Sequence, residues 1–281
     1  MKLFRPSELT ATAGDIMLLY SESGVGKSVT SIQTAPDPII YIMAEGRDVT
    51  KMLTAANRPG VKIKFGFYSN WNDLMDTVCN PENFKGAKTI IIDSLTHIMS
   101  VCLSDEILEE SYDAMKEKDK VEKDLAMRVK MSQEGYGTLS GNMLRLTAAL
   151  TRLSQLGHVV VLLARVEQNP KFNRALAAAP ALKGKEYSKY FAGFLDFIGY
   201  MEPRVIDGKI AYPPYVSFQD DGSFLSKWTG VMPEAGVYKR VLNIEKILKV
   251  AHGTAAAKGK KKEEKQEEKQ EESTNTEEKG G

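Results

Sequence analysis

Short, uninterrupted apolar runs alternate along the chain with stretches in which apolar side chains recur every three or four positions. Residues 15–20, DIMLLY, form one such run and residues 38–43, PIIYIM, another. Residues 88–94, KTIIIDS, and 158–166, HVVVLLARV, are the most apolar. Runs this short and this apolar predict strands covered on both faces, as in a parallel sheet. Residues 61–68, VKIKFGFY, alternate apolar with polar and predict a further strand. The intervening stretches 27–34, 49–57 and 70–78 carry helical spacing. Strand and helix in regular alternation imply βαβ units. The expected fold is therefore α/β, a mostly parallel central sheet flanked by helices.

The second half is less regular. Residues 105–132 are helical in pattern, highly charged and only weakly periodic. Residues 135–157 predict a better amphipathic helix, with Gly157 as its C-terminal cap. FLDFIGYM (194–201), YPPYVSF (212–218) and a helix over 243–250 complete the expected core. From residue 258 onward the chain reads KGKKKEEKQEEKQEESTNTEEKGG. That stretch has nothing to bury and cannot offset its ordering entropy, so a disordered tail is expected. A transient helix or a docking role is the alternative to a solubilising one. The division expected is a globular domain over 1–253 and a Lys/Glu-rich tail over 254–281. No internal repeat is found.

Composition narrows the class without naming it. The 281 residues are enough for one large domain or two small ones, and 42% hydrophobic with 27% charged is ordinary for a globular protein. A net charge of +1 supplies no global field, so any basic surface is local. Cys79 and Cys102 form no CxxC and no His/Cys cluster; both read as reduced thiols in or near the core. No run approaches the roughly 20 apolar residues needed to span a bilayer. The N-terminus carries no apolar run of signal-peptide length. These point to an intracellular, cytoplasmic protein without a membrane partner. His97 reads as a packing or capping residue, neither His158 nor His252 suggests catalysis, and the 12 methionines read as scattered core filler.

The chemical signal is SESGVGKS, residues 21–28. It matches the phosphate-binding pattern GxxxxGK[ST] except that Ser21 replaces the first glycine, and it lies between an expected strand and an expected helix. Backbone N–H groups from Ser23, Gly24, Val25, Gly26, Lys27, Ser28 and Val29 would surround a phosphate chain at a helix N-terminus. Lys27 would bridge the β- and γ-phosphates, and the Ser28 hydroxyl would take Mg²⁺. Asp93, ending the apolar run KTIIID, is placed to hold the same ion, with Ser94 in support. Read more simply, Asp93 caps the next helix. Glu45, just past the second strand, is placed to orient an attacking water, with Glu22 inside the loop as the competing carboxylate.

The succession of SESGVGKS, AEGR after the second strand, IIIDS, and a strand ending VVLLARVEQ resembles RecA-like ATPases, most closely the small phage-borne RecA/RadA-like proteins. Some of these are single-strand annealing recombinases. AAA-type proteins usually carry Asp-Glu where this chain has Asp93-Ser94. The resemblance implies a RecA-like P-loop core, Mg²⁺-ATP bound between protomers, and assembly as a ring or filament on single-stranded DNA. It further implies a single-strand-binding protein as a partner and, for a phage gene, the host cytoplasm. Glu45 becomes the catalytic carboxylate. Arg165 takes the sensor position where Gln is common, with Gln168 nearby, and Lys227 becomes the basic residue that completes a neighbour's ATP site. The loop over 166–190 would face DNA through Lys171, Phe172, Arg174, Lys183, Lys185 and Lys189, with Tyr187 and Tyr190 interleaved. Basic groups follow phosphates and aromatic faces stack on bases. The expected activity is DNA-stimulated ATP hydrolysis in recombination or annealing. The rivals are a hexameric helicase or packaging motor and a weakly hydrolysing, nucleotide-gated scaffold for a protein partner.

Overall fold

The structure is a computed structural model, and it describes residues 13–44, 48–99, 133–170, 173, 175–183, 190–219 and 222–254. The expected helix over 105–132 and the tail from 255 lie outside these. The strands are β1 (Ile16–Ser21), β2 (Ile39–Ala44), β3 (Ile63–Tyr68), β4 (Thr89–Asp93), β5 (Val159–Gln168), β6 (Ala178–Pro180), β7 (Phe197–Ile206), β8 (Lys209–Ser217) and β9 (Arg240–Val241). The principal helices are α1 (Lys27–Thr34), α2 (Val49–Ala56), α3 (Trp71–Cys79), α4 (Gln133–Gln155) and α5 (Ile244–Ala251). The sheet runs β3-β2-β4-β5-β1-β7-β8-β9, with β6 beside β5. From β3 through β7 every pairing on that path is parallel. β8 and β9 add an antiparallel edge.

β1 shows why continuous apolar runs become strands here. All six of its residues are buried. Ile16, Leu18 and Tyr20 point into one core with α3 and α4, while Met17 and Leu19 point into the other with α1, α2 and α5. A strand whose two faces are both covered needs apolar side chains at every position. The helices are placed by the same logic: α4 buries Leu139, Met143, Leu146, Leu150 and Leu153, a three-and-four spacing that makes one stripe. Gly157 then ends α4 as expected, at φ 94°, with its N–H bonded to Ser154 and the next N–H to Leu153.

Two expectations need revision. Cys79 is exposed rather than core. α3 buries Trp71, Leu74 and Val78, and position 79 falls off that stripe at the helix end. Cys102 lies outside the described residues. The patches at 194–201 and 212–218 are parts of a longer antiparallel hairpin, β7–β8, joined through Asp207 and Gly208. Pro213 and Pro214 are tolerated in β8 because they fall at a bulge, where the ladder with β7 skips from Tyr215 to Ala211. Among the described residues, no helix is long and apolar enough to cross a membrane.

Candidate functional site

The carboxyl ends of parallel strands share one edge of the sheet, and the connections leaving that edge form a crevice. β1 delivers residues 22–26 there, β4 delivers Asp93, and β5 delivers Arg165, which pairs with Ser21 in the ladder. β5 separates β1 from β4, so Ser28 and Asp93 meet only because α1 leans back across the strand end. Ser28 Oγ donates to Asp93 Oδ2 at 2.6 Å, and the Tyr41 hydroxyl donates to the same oxygen at 2.8 Å. Asp93 itself is only 4% exposed. A carboxylate this buried needs such donors, and they fix its orientation.

The loop between β1 and α1 is shaped for an anion. Gly26 precedes the helix at φ 100°, a left-handed conformation that side chains disfavour. No side chain caps α1 and no acidic residue sits in its first turn, so the helix N-terminus and its partial positive charge face the crevice. Lys27 Nζ folds back to Ser21 O and Ser21 Oγ, each at 3.0 Å, and to Glu22 O at 2.9 Å. The serine in place of the usual first glycine thus braces the lysine. Glu22 turns outward, its carboxylate accepting from Gln168 Nε2 at 3.1 Å.

These groups line a pocket of about 540 Å³. Its walls include Ser23, Gly24, Gly26, Lys27, Ser28, Val29, Asp93 and Arg165, all anticipated from the sequence, with Ser94 beside them. Val25, also anticipated, is 8% exposed and packs beneath the loop into the core instead. Lys27, Lys51 and Arg165 outnumber Asp48 and Asp93 among the charged walls, which suits a polyanion.

Asp48, Lys51, Met52 and Tyr212 were not anticipated. Asp48 caps α2, accepting from Thr50 N at 2.9 Å and Lys51 N at 3.4 Å, so an Asp immediately before a helical pattern was the available signal. Tyr212 had none, because its run YPPYVSF reads only as core.

Other expected site residues fall elsewhere. Lys227, expected to serve a neighbour's site rather than its own, lies outside this pocket, and its Nζ donates to Ala192 O and Leu195 O of its own chain, just before β7 begins. Lys183 is exposed, and its backbone N–H donates to Met99 Sδ at 2.8 Å. Glu45, Lys171, Phe172, Arg174, Lys185 and Lys189 lie outside the described residues. His97 packs as expected, paired with the Tyr68 hydroxyl at 3.1 Å, and the His158 ring pairs with Ala87 O at 2.9 Å.

The donor set fits a hard cation. Ser28 Oγ and Asp93 Oδ2 are two adjacent oxygens at the mouth of an anion loop. No group of three His, Cys, Asp or Glu side chains gathers among the described residues. An ion at Ser28 and Asp93 would therefore take its other oxygens from water and phosphate, which is how Mg²⁺ is usually held.

Compared with known protein families, residues 13–246 match the AAA domain. That match spans the phosphate loop, Asp93, β5 and the β7–β8 hairpin. Among curated proteins, none matches the sequence.

Proposed function

Since the chain belongs to the AAA domain family and has a P-loop ATPase fold, we propose that it binds Mg²⁺-ATP in this pocket and hydrolyses it in answer to single-stranded DNA, acting in recombination or annealing. The observation that carries the nucleotide reading is the meeting of Ser28 Oγ and Asp93 Oδ2 at 2.6 Å beside an uncapped helix N-terminus and Lys27. When bound, Mg²⁺ would neutralise charge on the β- and γ-phosphates. Lys27 exchanges its bonds to Ser21 and Glu22 for phosphate oxygens. Tyr41 keeps Asp93 oriented. Arg165, in the wall of the same pocket, would meet the charge that develops on the phosphates. Glu45 would orient the water and take its proton as the water oxygen bonds to the γ-phosphorus and the bond from that phosphorus to the β–γ bridging oxygen breaks, so that ADP and inorganic phosphate leave.

Single-stranded DNA is the proposed effector because β5 leads directly from Arg165 through Gln168 into residues 169–190, which carry five Lys and Arg side chains beside three aromatic ones. Phosphate contacts by such a segment need no base sequence. A homo-oligomer, as ring or filament, belongs to the same proposal. The test measures annealing of complementary labelled strands and unwinding of a partial duplex, each with Mg²⁺-ATP. Annealing without unwinding is expected. Unwinding would replace the proposal with a motor. Neither activity, with nucleotide still bound, would replace it with a nucleotide-gated scaffold.

A further inference from the structure

β7 pairs with β1 only from Phe197 to Tyr200, then continues past the end of β1. The hairpin it forms with β8 therefore projects beyond the sheet on the side of the phosphate loop. On its return, Tyr212 comes down on that loop. A Cβ built on Gly26 would lie 2.3 Å from Tyr212 Cε1, so the ring rests against the backbone where α1 begins. The position is braced: Arg204 Nη2 donates to Tyr212 O at 3.0 Å, next to a bulge between Glu202 and Arg204. Yet Tyr212 as a whole is 43% exposed, and the same pocket contains Val29 and Met52. An aromatic ring held by its backbone, half open to a pocket that also has cationic walls, has a face to offer and nothing of the chain's own core to offer it to.

We propose that Tyr212 is the platform against which the nucleobase lies, with Met52 and Val29 as the neighbouring apolar wall. This rests on the reading of the loop as a phosphate site. A nucleotide has two chemistries, a polyanion and a flat aromatic base, and the pocket supplies both. Lys27 and Arg165 suit the first, while Tyr212, Met52 and Val29 suit the second. Stacking needs a π face, which every base has, so the platform favours nucleotides over bare polyphosphate without choosing among bases. It also gives Gly26 a second duty: any side chain there would displace the platform.

The test compares ATP with inorganic tripolyphosphate, both with Mg²⁺, in equilibrium binding to the full chain. Tyr212→Ala should weaken ATP about tenfold, within the range of one lost stacking contact, and leave tripolyphosphate within about twofold. Tyr212→Phe, which keeps the ring, should restore ATP binding. Unchanged ATP affinity in Tyr212→Ala, or an equal loss for both ligands, overturns the platform. Tighter binding of both would make the ring a gate over the loop and overturn it equally. Lys27→Ala separates the two levels of the argument, because it should weaken both ligands. If it weakens neither, the phosphate site fails and the platform fails with it.

Discussion

The two ends of β1 both gather polar and charged groups around a buried strand, and they use them differently. At the amino end another part of the same chain arrives to meet them. Asp196 accepts from Ile16 N at 2.8 Å, and the His252 ring meets Asp15 at 3.2 Å, fastening the end of α5 beneath the sheet. At the carboxyl end the groups are oriented but left facing a pocket. α1 has no side-chain cap, Ser28 and Asp93 hold each other at the rim, and the Lys27 ammonium rests on loop carbonyls. The strand itself is the same buried apolar ladder throughout. What differs is whether another part of the chain arrives to close the polar groups or leaves them oriented toward space. The first arrangement serves the fold and the second serves a ligand.

That contrast can be broken at four points, in descending order of effect. Lys27→Ala should abolish ATP binding, a loss of roughly a hundredfold or more from charge-assisted bonds to phosphate, measured by titration calorimetry. Unchanged affinity would mean that the carboxyl end is as structural as the amino end. Glu45→Gln should keep ATP binding and lower turnover by roughly 10²–10⁴-fold, as expected for a lost general base. Normal hydrolysis in that variant would move the water-orienting role to another carboxylate, Glu22 being the one held in the loop. Gly26→Ala should cost about 1–2 kcal/mol in urea unfolding from the left-handed backbone alone. Displacing the Tyr212 ring adds to that, so the same substitution made in a Tyr212→Ala background should cost less. An identical cost in both backgrounds would show that the ring does not press on the loop.

The smallest effect belongs to the amino end and depends on pH. Burial pushes the Asp15 carboxyl above its ordinary range, and the hydrogen bond and charge of His252 offset only part of that push. A carboxyl raised in the folded state binds protons more readily there than in the unfolded chain. Its favourable contribution is full below the ordinary carboxylate pKa and is lost as pH rises through the folded value. Asp15→Asn should therefore flatten that loss. Stability of the variant relative to the parent should improve from acid to neutral pH in denaturant titrations. A difference that stays constant across the range would mean that Asp15 titrates no differently when folded.

Strands β1, β2, β4 and β5 were readable in the sequence because a strand covered on both faces must be apolar at every position, and nothing else in a chain of this composition is. The phosphate loop and Asp93 were readable because each is a local pattern attached to such a strand. The β7–β8 hairpin was not. Its outer half carries Glu202, Pro203 and Arg204 on one strand and two prolines on the other, since it leaves the core and needs no continuous apolar run. Tyr212 was hidden for the same reason: its place over Gly26 is set by how far β7 overshoots β1, a property of the assembled sheet. Lys227 looked like a free basic residue in SFLSKWTG, and only the fold brings the carbonyls of Ala192 and Leu195 to its ammonium.

The activity proposed for the pocket at the carboxyl end of β1 is ATP hydrolysis in response to single-stranded DNA. The most direct measurement is the steady-state rate of ATP hydrolysis in Mg²⁺, with and without single-stranded DNA, across a salt series. Stimulation by DNA that fades as salt rises is expected, because phosphate contacts release counterions and weaken with ionic strength. A rate that is negligible, or indifferent to DNA at every salt concentration, would contradict it.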